Sequence, residues 1–211
     1  MLTTEGVVLA TEKLEVSFLL EENTISEKIY CIDKHLYCVV SGLSADANFL
    51  IDLAREEAQK HRLKFREPMP IEQLIVYICD VKQYYTQAGS SRPFGAAFLF
   101  AGYDSQNKYQ LYSTDPSGNY AGWKATAIGT NNIAANSFLK QEYKETLSLK
   151  EGLSIALRAL VKTMETTDPS AKKIELVTIA LNANGEVKGK TLVEEEIAQL
   201  ITENKLKSDK K

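Results

Sequence analysis

The sequence predicts an α+β fold: two antiparallel sheets packed face to face, with helices over both outer faces, in a four-layer αββα sandwich. Two observations lead there. Strand-like runs come in consecutive hairpins and helix-like runs in consecutive groups, unlike the strand–helix alternation that builds a parallel sheet. No linker or shift in composition divides the 211 residues, so residues 1–207 read as one domain and residues 208–211 as a charged tail.

Residues 6–11 open with a β-rich run, Gly-Val-Val-Leu-Ala-Thr. Residues 27–33 alternate, with Ile29 and Cys31 against Lys28 and Tyr30, and residues 36–43 are nearly all apolar, as in a strand covered on both faces. These two runs flank the polar turn Asp33-Lys34-His35 and read as a hairpin. Ser44 then caps a helix whose face is Ala47, Leu50, Ile51, Ala54 and Ala58, ending near His61. Pro68 and Pro70 announce a second helix, with Pro70 suited to the first turn and a stripe of Leu74, Ile78, Val81 and Tyr85. Gly89-Ser90-Ser91-Arg92-Pro93 breaks it.

Strands follow at residues 95–103 and 109–113, then a type I turn at Asp115-Pro116-Ser117-Gly118, then an alternating strand over residues 123–128. Asn131 opens a short helix carrying Ala134, Ala135, Phe138 and Leu139. Ser148 and Glu151 form a capping box for a long helix with Leu153, Ala156, Leu157, Leu160, Val161 and Met164 inward, ended by Asp168-Pro169-Ser170. Residues 174–181 and 186–192 make a hairpin around Asn182-Ala183-Asn184-Gly185. A last helix spans about residues 193–206, with Ile197, Leu200 and Ile201 inward.

Hydrophobic residues at 44% and charged residues at 25% suit a soluble globular domain, and no apolar run reaches the length of a membrane span. Met1-Leu2-Thr3-Thr4-Glu5 lacks the basic and apolar regions of a secretory signal, so an intracellular protein is expected. A net charge of −3 argues against a nucleic-acid partner held through phosphates. Cys31, Cys38 and Cys79 form no CxxC and read as reduced, buried small hydrophobes. His35 and His61 have no second ligand at metal spacing, so neither metal nor cofactor is expected.

Gly129-Thr130-Asn131 is a strand-to-helix turn rather than a phosphate loop, and Ser117 a turn serine without an elbow motif. Glu56-Glu57 and Glu194-Glu195-Glu196 suit solvent and a helix N-terminus rather than acid–base work. Tyr84, Tyr85, Tyr109, Tyr112, Tyr120 and Trp123 offer packing or a subunit interface. Lys28 is the exception. A lysine beside Ile29 and Cys31 must reach solvent along its stem, pair with a carboxylate or face a cavity, and residue chemistry alone leaves these open.

Several segments together resemble the alpha subunits of the proteasome core particle. They are Ser26-Glu27-Lys28-Ile29, Ser41-Gly42-Leu43-Ser44-Ala45-Asp46-Ala47, Tyr84-Tyr85-Thr86-Gln87, Arg92-Pro93-Phe94-Gly95, Asp115-Pro116-Ser117-Gly118 and Trp123-Lys124-Ala125-Thr126-Ala127-Ile128-Gly129, in family order from about Gly6 to Leu200. Asp115 to Tyr120 with Gly122-Trp123-Lys124 resembles the eukaryotic alpha-type-four group in particular. The resemblance implies an N-terminal-nucleophile hydrolase-like fold without catalysis. It also implies a place in the seven-membered outer ring, contacts with neighbouring alpha subunits and with beta subunits, gating, and docking of a regulatory cap for ubiquitin-dependent degradation in cytoplasm and nucleus. Neither nucleic acid nor membrane is an expected partner.

In catalytic relatives a lysine equivalent to Lys28 tunes an N-terminal threonine. By family spacing that threonine falls before Met1. In alpha subunits the lysine lines a pocket between neighbours and pairs with the C-terminal carboxylate of activator tails, and Gly42 and Leu43 match that pocket's wall. Family members begin with a gating tail, a helix and a first strand, and the resemblance starts after all three. An N-terminally truncated subunit is therefore expected, with the strand at residues 6–11 left with an unpaired edge. Two other readings stand beside this one. A processed peptidase would use Thr3 or Thr4, although Thr4 lies only 24 residues before Lys28, short of the family spacing. A free-standing fragment would bind partners without entering a ring.

Overall fold

The computed structural model describes residues 1–13, 28–89, 92–164 and 169–206. The segment Thr24 to Glu27, the Ser90-Ser91 break, the helix stop at Asp168 and the expected charged tail lie outside the described residues.

The wider sheet holds β2 (Ile29–Asp33), β3 (Leu36–Gly42), β4 (Ala96–Asp104), β5 (Lys108–Thr114) and β6 (Tyr120–Gly122) in that order. The narrower sheet has the order β1 (Gly6–Glu12), β7 (Ile174–Leu181), β8 (Val187–Thr191). Every pairing is antiparallel. The helices are α1 (Ser44–Phe65), α2 (Ile71–Gln87), α3 (Asn132–Glu142), α4 (Leu149–Thr163) and α5 (Glu194–Glu203).

Strand alternation sorts the apolar side chains into the layers of the predicted sandwich. Leu36, Cys38, Phe98 and Phe100 leave one face of the wider sheet and pack on Leu50, Ile51, Leu74 and Ile78 of α1 and α2. Their neighbours Val39, Leu99, Ala101 and Leu111 leave the other face and meet Val7, Leu9, Val177 and Ile179 of the narrower sheet. On that sheet's far side, Val8 packs with Phe138 and Ile155, and Leu176 with Leu157, Ile197 and Ile201. Each Val, Leu, Ile or Phe among them, withdrawn from water, contributes about 1.5–3 kcal/mol.

Local signals held where one turn of backbone decides. Ser148 Oγ accepts the Glu151 N–H at 3.4 Å, and the Glu151 carboxylate accepts the Ser148 N–H at 2.8 Å. Elsewhere tertiary context moved the boundaries. Leu43, not Ser44, is the N-cap of α1, and the helix continues past His61 to Phe65 before Arg66 turns left-handed at φ 64°. Residues 123–128 are not a strand. The short strand is β6, and Trp123 extends its ladder by a single bond to Leu111 O before Lys124 O accepts the N–H of Leu2.

The outer edge of β1 is not bare along its whole length. Met1 folds back so that its amino group donates to Val8 O at 2.8 Å and its carbonyl accepts the Val8 N–H at 2.9 Å. Cys38 and Cys79 are buried, but Cys31 is exposed on β2, which among the described residues is the end strand of the wider sheet. In the polar turn after β2, Lys34 is exposed but Asp33 and His35 are buried. Asp33 is gripped by Arg62 Nη2 at 2.7 Å, and His35 Nε2 lies 2.9 Å from Met69 O.

Candidate functional site

Gly42, at φ +118°, ends β3 opposite Ala96. Any side chain there would strike the Gly95 carbonyl, so the sharp exit from strand into helix requires glycine. Leu43 follows, its N–H donating to Gly95 O at 2.8 Å and its side chain 55% exposed. A Cβ on Gly95 would sit 2.7 Å from Leu43 Cδ1, so Leu43 lies directly on the bare Cα.

Asp46, in the first turn of α1, locks this corner. Its carboxylate takes a two-pronged grip from Arg92, Nη1 at 2.6 Å and Nη2 at 2.8 Å, and the Gly95 N–H at 2.8 Å. The Arg92 and Gly95 hydrogen bonds hold the Asp46 carboxyl down at about 2. From the opposite side Gly129, at φ +92°, comes so close that a Cβ would lie 3.0 Å from Ser41 Oγ.

Lys28 precedes β2 and is half-buried. Its carbonyl accepts the Val40 N–H at 3.1 Å, and its own N–H donates to Glu175 Oε2 at 3.3 Å. The register sets Ile29 against Val39 and Gly42 against Ala96. Lys28, Gly42 and Leu43 therefore share one end of the wider sheet, on adjacent strands and the helix entry.

The hydroxyls of the alternative nucleophiles are engaged in structural bonds. Thr3 Oγ1 donates to Gly6 O at 2.9 Å and accepts the Gly6 N–H at 3.1 Å, and Thr4 Oγ1 donates to Leu147 O at 3.0 Å. Ser117 Oγ donates to Asp115 Oδ1 at 2.6 Å. Phe49, Phe94, Tyr85 and Tyr84 form a row of rings with centroids 4.6–5.9 Å apart, Phe49 and Tyr84 exposed at its ends. A cleft of about 680 Å³ over α3 and α4, flanked by the Glu142–Arg158 ion pair, includes none of Lys28, Gly42 and Leu43.

Sequence reasoning missed Lys82. It is fully buried beneath α2, with Nζ donating to Thr114 Oγ1 at 2.8 Å, Ala96 O at 3.0 Å and Asp115 O at 3.1 Å, and it stands 4.7 Å from the centre of the Phe98 ring. Burial lowers its pKa to about 8. Its place on the helical stripe, four residues after Ile78, was the available signal.

The fold is an α+β sandwich of two antiparallel sheets with helices packed on them. Residues 1–179 match the family model described as Proteasome subunit. The chain is 49% identical over 206 residues to proteasome subunit alpha type-4 of Spinacia oleracea, covering 98% of this chain and 82% of that protein. It is 47% identical over 204 residues to alpha type-4-A of Arabidopsis thaliana, with 97% and 82% covered. To alpha type-4 of Petunia hybrida it is 48% identical over 202 residues, with 96% and 81% covered. The chain belongs to the proteasome subunit family, on the side of its non-catalytic alpha subunits.

Proposed function

We infer that this protein builds the outer ring of a proteasome core particle with neighbouring alpha subunits, rests on beta subunits, and helps gate entry and receive a regulatory cap in cytoplasm and nucleus. Its β3–α1 corner docks the C-terminal carboxylate of a cap's tail. Lys28 supplies the cation, Gly42 and Leu43 the wall, and the neighbouring subunit the opposite side. The observation that carries this reading is the convergence of a half-buried lysine, a glycine at φ +118° and an exposed leucine on one sheet end. A charge-assisted contact of a lysine with a terminal carboxylate contributes about 1.5–3 kcal/mol.

The test is binding of a cap-tail peptide to particles assembled with the parent protein or with Lys28→Glu. Reversing the charge weakens binding at least about tenfold, while the particle's mass by native mass spectrometry stays unchanged. Undiminished binding by Lys28→Glu particles sinks the docking role. Failure of the parent protein to join its neighbours at full mass sinks the ring role.

A further inference from the structure

We propose that Asn184, at the tip of the β7–β8 hairpin, is a site of spontaneous deamidation, ageing in place to a mixture of aspartate and isoaspartate.

Asn184-Gly185 is the one Asn-Gly pair in the sequence. The reaction needs an asparagine side chain free to swing, a following residue without a side chain, and water. Ala183, Asn184, Gly185 and Glu186 are all exposed. Gly185 sits at φ +77° with nothing within 4 Å of where a Cβ would be. Among the described residues the Asn184 side-chain amide makes no hydrogen bond, whereas the amides of Asn119, Asn136 and Asn182 are all engaged.

The Gly185 backbone nitrogen attacks the amide carbon, Cγ, of Asn184, forming a new bond and closing a five-membered succinimide. The Cγ–Nδ2 bond of Asn184 breaks, and ammonia leaves with the proton given up by the attacking amide. Water then adds to one or other ring carbonyl. One opening leaves aspartate and the other isoaspartate, whose backbone is longer by one methylene. No oxidant, reductant or cofactor takes part.

The same turn carries a brake. The Gly185 N–H donates to Asn182 O at 3.0 Å, so the attacking nitrogen is occupied while the turn is closed. Asn182 Oδ1 holds that closure by accepting the N–H groups of Asn184 and Glu186, both at 2.9 Å. Attack proceeds from the opened turn, and Asn182 sets how often the turn opens. The product places a carboxylate beside Glu186. In its isoaspartate form it lengthens the loop that sets the Leu181–Val187 pair at the start of β8, the end strand of its sheet.

The experiment incubates the full-length protein at neutral and mildly alkaline pH and follows residue 184 by peptide mapping and by isoaspartate-specific methylation. The expected result is ammonia loss confined to this peptide, faster at the higher pH because the attacking amide must lose its proton. Asn182→Ala accelerates it about tenfold, the opening factor for two lost neutral hydrogen bonds, and Gly185→Ala slows it. The control is a free peptide of residues 181–188. Asn184 remaining intact in both the parent and Asn182→Ala, while the free peptide converts, overturns the proposal. Asn182→Ala deamidating no faster than the parent overturns the brake.

Discussion

Replacing Lys82 with methionine removes the three-armed ammonium while keeping most of the buried stem. Two effects oppose each other. Ala96 O and Thr114 Oγ1 lose this donor, and each bare buried acceptor costs about 2 kcal/mol, whereas Asp115 O keeps the Gly118 N–H at 3.2 Å. Against this, burying the charge lowers the lysine from 10.5 to about 8, a penalty of about 3 kcal/mol that the variant no longer bears. The acceptors win narrowly, so Lys82→Met is less stable at neutral pH by about 1 kcal/mol, or roughly 3 °C in melting temperature for a protein of this size.

The pH dependence isolates the charge. Between about 8 and 10.5 the unfolded state keeps a proton that the folded state has lost, so the parent gains stability as pH rises through that window. The methionine variant has no such group, and its deficit widens by up to about 3 kcal/mol across the window. Urea denaturation of both proteins at neutral pH and near pH 10 measures both quantities. A variant as stable as the parent at neutral pH, or a gap that stays constant with pH, refutes the reasoning.

Further outcomes follow from the same corner and its surroundings. Gly42→Ala meets both a positive φ and the Gly95 carbonyl, so it destabilises the fold by about 3 kcal/mol or more, read from the denaturation midpoint. Asp46 titrates at about 2 because Arg92 and Gly95 hold its charged form. Its contribution is complete above the ordinary carboxylate range and is lost as pH falls toward 2. An acid-unfolding curve of Asp46→Asn therefore starts lower and loses less than the parent between pH 4 and pH 2. Gly189→Ala drives a methyl into the Tyr37 ring across the two sheets, costing about 1–3 kcal/mol by overpacking, with the loss seen in thermal melts.

The layer order was legible in the sequence because alternation and helical stripes are properties of a few neighbouring residues. Leu36, Cys38 and Val39 display their two faces without help from the rest of the molecule. Boundaries set by distant partners were not legible. Residues 123–128 alternate like a strand, yet the ladder stops because Leu2 takes over Lys124 O. The apolar stripe of α1 ends at His61, but backbone hydrogen bonding carries the helix on through exposed Leu63 and Phe65. Lys28, Gly42 and Leu43 came from resemblance rather than from periodicity. Asp46, Arg92 and Gly95, which brace their corner, come together only on folding, because the ion pair spans 46 positions. Lys82 stayed hidden for a different reason. A lysine on a helical stripe reads as a surface interruption, and its acceptors on Ala96, Thr114 and Asp115 reach it only on folding.

The strand order of the wider sheet has a spectroscopic consequence. Cys31 is exposed on β2, the end strand among the described residues, while Cys38 and Cys79 are buried and their thiols are pushed up, that of Cys79 to about 11. A thiol-reactive dye at mild pH therefore attaches to one edge of the molecule. The single tryptophan, Trp123, stands beyond the opposite end of the same sheet, past β6. The unmodified sequence thus holds its own donor and acceptor positions for energy transfer, and the spacing of its outermost strands can be followed in solution without introducing a mutation.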